Sequence, residues 1–173
     1  MIRRLAIIPA RGGSKRLKNK NIAPFHKKPL IYYSIKELIK VGLFSKIHIS
    51  TDSPHIKSKV QKLVEIDFLR PRKLSGDTVP VSEVIKFVIN EYKKINLKYD
   101  EVWLIYATNP LIQKKFLTDA YKLYLKNKKK YSILSVNRYS KPIEWAMKIT
   151  KNKVLQPVFK KDISKPSNEM IEK

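Results

Sequence analysis

One stretch of the chain gathers the residue types that bind phosphate: Ala10-Arg11-Gly12-Gly13-Ser14-Lys15-Arg16-Leu17-Lys18-Asn19-Lys20-Asn21. Two of the chain's 4 glycines stand side by side in it. Glycine lets a backbone approach a ligand closely and take up positive φ, so that successive N–H groups converge on phosphate oxygens. Arg11, Lys15, Arg16, Lys18 and Lys20 add cations, the arginines as planar forks and the lysines as mobile point charges. A nucleoside triphosphate uses both kinds. The stretch has neither the Gly-Lys-Ser/Thr ending of a Walker loop nor the Gly-x-Gly-x-x-Gly spacing of a dinucleotide loop, so those two classes are excluded. A tight turn decorated with surface lysines is the competing reading of the same residues.

Such a loop works only on rigid supports. Leu5 to Pro9 is a short apolar run ending in a turn signal, as a buried parallel strand would be. Ile31, Ile35, Leu38 and Ile39 recur at helical spacing after Pro29, and Gly42 is placed to stop that helix. Lys46 to Thr51 reads as the next strand, closed by Asp52-Ser53-Pro54, where Asp52 is expected to cap a helix carrying Ile56, Val60, Leu63 and Val64. Phe68-Leu69 is a short strand candidate. A third helix follows on Val84, Ile85, Val88, Ile89 and Tyr92, with Ser82 a candidate cap. Glu101 to Tyr106 is the next strand, Leu117, Ala120, Tyr121 and Tyr124 the next helical stripe, and Tyr131 to Val136 a strand after it.

Strands alternating with helices specify an α/β fold, a mostly parallel sheet with helices on both faces. Ligands of such sheets bind outside the carboxyl ends of the strands, which singles out the loops 10–21, 50–54, 70–82 and 106–112. Residues 1–137 form the nucleotide-binding core on this reading. Residues 138–173 are polar and irregular, continue the same domain, and carry one apolar cluster at Ile143, Trp145, Met147 and Ile149 whose alternation fits one side of a strand.

Composition narrows the class. The 173 residues carry 38 Lys+Arg against 14 Asp+Glu, a net charge of +24, yet 43% of them are hydrophobic, so the chain has a core and is not a solvated polycation. No apolar run reaches the roughly 20 residues of a membrane span, and no leader pattern opens the chain. With 0 cysteines there is no disulfide, thiolate metal site or cysteine nucleophile. These features point to the cytoplasm. The lysines are scattered, as at Lys57, Lys59, Lys62 and Lys126 to Lys130, and no stacking-aromatic motif accompanies them. A basic nucleic-acid-binding protein is therefore the minority reading, and no specific nucleic-acid partner is expected. His26, His48 and His55 lack metal spacing and read as surface or core residues. Trp103 reads as core.

The loop at residues 8–21, Ile-Pro-Ala-Arg-Gly-Gly-Ser-Lys-Arg-Leu-x-x-Lys-Asn in outline, resembles the signature of the cytidylyltransferases that activate nine-carbon acidic sugars as CMP-sugars. Further matches follow in order: Lys28-Pro29-Leu30-Ile31-Tyr32-Tyr33-Ser34-Ile35, Ile49-Ser50-Thr51-Asp52, Phe68-Leu69-Arg70-Pro71-x-x-Leu74 and Tyr106-Ala107-Thr108-Asn109-Pro110-Leu111. Together they cover essentially the whole chain. Tyr106 stands where sialic acid enzymes place a glutamine. With Lys141 to Ala146, it makes the chain more similar to the pseudaminic acid branch than to the sialic or legionaminic acid branches.

The resemblance implies a Rossmann-like nucleotidyltransferase sheet of the GT-A-like kind, and a reaction of CTP with an acidic nonulosonic sugar that releases pyrophosphate. It implies that Arg11 and Lys20 act on the triphosphate as catalytic cations. Ala10, Arg11, Gly12, Gly13, Ser14, Lys15, Lys20 and Asn21 would bind the nucleotide, with Arg70 along the cytidine and Asp77 and Thr78 beside the base. Tyr106 and Thr108 would face the sugar. It further implies Mg²⁺, a homodimer, and a C-terminal continuation holding the metal-binding aspartates, so that the Mg²⁺ ligands are expected beyond residue 173. On that expectation the 173-residue form binds CTP weakly and turns over poorly, an inactive nucleotide-binding remnant being the limiting case. Ser82 departs from the family's serine position by one residue.

Overall fold

The first strand, β1 (Arg4–Pro9), is built from the Leu5-Ala6-Ile7-Ile8 run, every residue of which is fully buried. The computed structural model describes residues 2–14, 17–138, 141 and 143–159, which fall into two compact units dividing between Tyr131 and Ser132. In the first unit, the loop after β1 ends in a 3-10 turn at Lys20–Ile22. A small antiparallel ribbon follows, β2 (Pro24–Phe25) and β3 (Lys28–Pro29). Its two turn residues, His26 and Lys27, both have positive φ (43° and 67°), the signature of a type I′ turn made here without glycine.

Helix α1 (Leu30–Val41) ends at Gly42, whose φ of 68° and N–H bond to the Ile39 carbonyl close it as the sequence predicts. Ile39, expected on its buried stripe, is exposed, and Ser34 takes a place there instead. Strand β4 (Lys46–Ser50), helix α2 (Pro54–Val60), helix α3 (Val81–Lys94), strand β5 (Glu101–Leu104) and helix α4 (Lys114–Lys126) complete the unit.

β1, β4 and β5 form a parallel sheet in the order β4-β1-β5, with Ile7 opposite both His48 and Leu104. The chain therefore leaves β1 to one side, then crosses over it to the other. The reversal opens a crevice at the carboxyl ends of β1 and β5, the topological switch point of an open parallel sheet. Alternation along β1 splits the core in two. Ala6 and Ile8 pack with Ile31, Ile35, Leu38, Ile56, Val60 and Leu117 on one face; Leu5 and Ile7 pack with Val88 and Tyr92 on the other. Trp103 packs against the first of these clusters, as expected for a core residue.

His48 is fully buried on the α3 side. Tyr92 donates its hydroxyl to Asp67 (2.6 Å) and its oxygen lies 3.0 Å from His48 Nδ1, while Lys46 donates to Asp67 (2.8 Å). Since the one phenolic proton goes to Asp67, the Tyr92 oxygen must accept from Nδ1–H of a neutral imidazole. Part of the basic excess is likewise used inside the fold: Glu101, 7% exposed, accepts from both Arg4 (2.7 Å) and Lys129 (2.8 Å).

Several expectations are corrected. Ser53, not Asp52, caps α2, its hydroxyl accepting from the Ile56 N–H (3.3 Å). Ser82 lies inside α3, which starts after Pro80 with no side-chain cap. Phe68-Leu69 forms no strand; Phe68 instead packs its ring against His48 and Tyr92. Residues 132–136 form no strand, and Leu134 and Val136 are each 82% exposed, because an apolar run becomes a strand only where a sheet edge and a covering layer receive it.

The second unit contains a 3-10 turn at Ile143–Trp145 and a hairpin of β6 (Met147–Ile149) and β7 (Leu155–Pro157). The alternation from Ile143 to Ile149 thus belongs to a strand only at Met147 and Ile149.

Candidate active site

Around the crevice lies an open cleft of about 220 Å³, lined by Pro9, Arg11, Ser14, Lys20, Asn21, Arg70, Asp77, Tyr106 and Thr108 among others. These residues come from three of the four loops expected to matter, and each loop is tied down in its own way.

The β1 loop begins late, because the Ala10 N–H still donates to the Ser50 carbonyl (2.9 Å) and leaves Ala10 fully buried. Next comes the peptide joining Arg11 to Gly12. Its carbonyl accepts from Asn21 Nδ2 (3.0 Å) and its N–H donates to Asp52 Oδ1 (2.9 Å). Gly12 is there for space: a Cβ at this position would lie 2.9 Å from the Ser53 Cβ. Gly13 is exposed, and a Cβ added there would meet nothing within 4 Å; the Ser14 N–H turns back to the Gly12 carbonyl (3.1 Å). Lys15 lies outside the described residues. Lys20 sits at the start of the 3-10 turn, after Asn19 in the left-handed region, and reaches the cleft from its exposed rim.

Arg11 forms an ion pair with Asp77, bridging the β1 loop to the loop before α3. Thr78, beside Asp77, is exposed and does not line the cleft. Arg70 is the most distinctive group. Its backbone N–H donates to the Thr51 carbonyl (2.7 Å), and the residue is only 5% exposed. Yet Nε and Nη2 are buried with no hydrogen-bond partner, and the nearest carboxylate oxygen, on Asp52, is 3.9 Å from Nη2. Burial lowers the pKa of the guanidinium from its ordinary value; Asp52 opposes that effect and Arg11 adds to it. A desolvated cation with unused donors, on a residue that lines a cleft, favours an incoming anion or a polar carbonyl group.

The third loop continues from β5. The Ile105 N–H donates to the Ile7 carbonyl (3.0 Å), after which Tyr106 turns outward, 55% exposed, and Thr108 follows on the cleft wall. Ser34 of α1, fully buried, holds this turn by donating to the carbonyls of Tyr106 (3.1 Å) and Asn109 (3.3 Å). The sequence assigns Ser34 no role of its own, although a serine within the apolar stripe of α1 is the signal for one. Nor does it show that Leu74, Val79, Val81 and Val84 give the cleft an apolar part to its lining.

Among the described residues no group of three or more His, Cys, Asp or Glu is placed to hold a metal. Asp77 is engaged by Arg11, and Asp52 by the Gly12 N–H. These residues do not by themselves fit the expected Mg²⁺.

Comparison with known proteins agrees with this geometry. A family model described as cytidylyltransferase matches residues 5–164. The chain is 36% identical over 152 residues to the pseudaminic acid cytidylyltransferase of Campylobacter jejuni subsp. jejuni, covering 87% of this chain and 65% of that protein. It is 33% identical over 138 residues to the N-acylneuraminate cytidylyltransferase of Escherichia coli, covering 80% of this chain and 32% of the other. It is 29% identical over 170 residues to the CMP-N,N'-diacetyllegionaminic acid synthase of Legionella pneumophila, covering 97% and 72%. The chain thus spans just under two thirds of the Campylobacter relative's length. In fold it is similar to a CMP:2-keto-3-deoxy-manno-octonic acid synthetase solved with CTP, at a TM-score of 0.61 and 18% identity over 73% of this chain and 48% of that one. A cytidylyltransferase from Leptospira borgpetersenii is similar at a TM-score of 0.54 and 21% identity, over 74% and 51%. By its match over nearly all its length and by the cationic cleft at its switch point, the chain belongs to the cytidylyltransferase family.

Proposed function

We propose that this chain carries the nucleotide site of an enzyme that transfers CMP from CTP to a nine-carbon acidic sugar, pseudaminic acid before its sialic and legionaminic counterparts. The observation that carries the reading is the buried Arg70 guanidinium, with unused donors, in a cleft that Arg11 and Lys20 also border. The apolar lining at Leu74, Val79, Val81 and Val84 suits the face of a cytosine, and Arg70 lies along the cytidine. Arg11 and Lys20 take the triphosphate, and Tyr106 and Thr108 meet the sugar. The sugar's anomeric hydroxyl attacks the α-phosphorus in line. A new O–P bond forms, the bond to the bridging oxygen breaks, the hydroxyl proton is released, and pyrophosphate leaves with the bond's electrons. Lys20 counters the charge that grows on the leaving group. Positioning and charge stabilisation carry most of such a transfer.

The triphosphate displaces Asp77 from Arg11 as it enters. The expected Mg²⁺ takes ligands outside the described residues. No helix among the described residues is long and apolar enough to cross a membrane, and the substrates are water-soluble, which supports a cytoplasmic site of action. The chain pairs with a second copy through the β6–β7 hairpin, where Ile149 (73% exposed) and Leu155 (60% exposed) stand directly opposite one another. Light scattering would read that mass.

Pyrophosphate release from CTP, measured with each of the three free sugars, tests the reading. Release driven by pseudaminic acid supports it. Release driven only by sialic or legionaminic acid reassigns the sugar. Thermal stabilisation by CTP without product marks a nucleotide-binding remnant, and no response to CTP overturns the reading.

A further inference from the structure

We propose that Asp52 is a positioning residue of the cleft, locking the orientation of the Arg11–Gly12 peptide from which the Arg11 side chain springs. The inference rests on the reading of the cleft as a nucleotide site. Three observations converge on it. The N–H of this peptide donates to Asp52 Oδ1 (2.9 Å), and its carbonyl accepts from Asn21 Nδ2 (3.0 Å). One peptide plane is thus held at both ends, by side chains 31 residues apart in sequence, and it cannot rotate without breaking two hydrogen bonds at once. Second, Gly12 is pressed so close to Ser53 that an added Cβ would stand 2.9 Å from the Ser53 Cβ; the β1 loop and the start of α2 are fitted together at this point. Third, the same Asp52 oxygen is the nearest acid to the buried Arg70 guanidinium, 3.9 Å away.

Asp52 therefore serves two of the cleft's cations. It aims Arg11 through the backbone and lies beside Arg70 as a counter-charge. The Gly12 N–H is already spent, so the loop's open surface starts at Gly13, which is exposed and has room for a Cβ. Fixing Arg11 before the ligand arrives spares the ordering cost of a loop that would otherwise have to organise around the phosphates.

Two substitutions separate the backbone lock from the charge. Asp52→Asn and Asp52→Ala both remove the negative charge, but only asparagine keeps an oxygen that can accept from Gly12. Amide exchange at Gly12 and titration calorimetry with CTP are measured in the wild-type chain and in both variants. The lock predicts a Gly12 amide protected in wild type and in Asp52→Asn, and exchanging at least tenfold faster in Asp52→Ala. It also predicts CTP affinity at least tenfold weaker in Asp52→Ala than in Asp52→Asn. Equal exchange, or equal CTP affinity in the two variants, overturns it. A wild-type chain that shows the protected Gly12 amide but binds no CTP refutes the nucleotide reading and with it the role of the lock in binding. Gly12 exchange unprotected in wild type refutes the lock alone.

Discussion

Acidification should destabilise this protein chiefly through one residue on the face of the sheet opposite α1. His48 is fully buried, and burial, partly opposed by Asp67 and aided by Lys46, lowers its pKa from 6.5 to about 4. Its Nδ1–H is spent on Tyr92 and its Nε2 is buried with no partner, so a second ring proton would have nothing to donate to. Above pH 6.5 the imidazole is neutral in both the folded and unfolded chains and costs nothing. Between pH 6.5 and 4 the unfolded chain binds a proton that the folded chain refuses. Stability therefore falls as pH falls, at up to about 1.4 kcal/mol per pH unit, and levels off below the folded pKa. Over the depression from 6.5 to about 4 the loss sums to about 3 kcal/mol, a large share of an ordinary domain's 5–15 kcal/mol. At Asp67 burial raises the pKa, but hydrogen bonds from Lys46 and Tyr92 with the Lys46 charge outweigh it and hold the carboxyl below its ordinary 3.8, which adds a loss of the same sign but mainly below pH 5. Urea unfolding at a series of pH values, for wild type and His48→Gln, isolates the histidine. The wild type should lose about 3 kcal/mol more than the variant between pH 6.5 and 4. Parallel curves would refute the assignment of a neutral, unsatisfied imidazole.

Other perturbations probe the cleft itself. Arg70→Ala removes a buried cation with free donors, and should weaken CTP binding by about 10- to 100-fold in calorimetry, as expected for a charged hydrogen bond worth about 1.5–3 kcal/mol; unchanged affinity would take Arg70 out of the site. Gly12→Ala must push its Cβ against Ser53, and should lower unfolding free energy by about 1–3 kcal/mol while also reducing CTP affinity. Ser34→Ala removes the side-chain donor shared by the Tyr106 and Asn109 carbonyls, which keep backbone N–H partners in Asn109 and Ile112. It should cost about 0.5–1.5 kcal/mol in denaturant unfolding and loosen amide protection across 106–109.

How far the fold could be read in advance depended on whether its cause was local. The run Leu5 to Ile8, the α1 stop at Gly42 and the stripe of α3 follow from periodicity and backbone preference, and all appear as expected. Even Arg11, Lys20 and Arg70 could be placed near one another, because parallel strands bring their carboxyl-end loops together. Pairings across long separations could not be read. Asp52 has the composition of a cap, yet its partner is a backbone N–H 40 residues earlier. Ser34 holds a turn 72 residues away. The stretch after Tyr131 carries enough apolar residues for a strand, but 132–136 form none. His26 and Lys27 hide a turn normally signalled by Asn-Gly, since their positive φ is imposed by the two-residue connection of β2 to β3.

If the cleft between the loops after β1 and β5 takes the triphosphate of CTP on Arg11, as proposed, a crystal structure of this chain soaked with CTP will show phosphate oxygens on the Arg11 guanidinium, Asp77 released from it, and the cytosine against Leu74 and Val84 beside Arg70. A nucleotide bound elsewhere, or one seated in the cleft while Arg11 remains paired with Asp77, would contradict it.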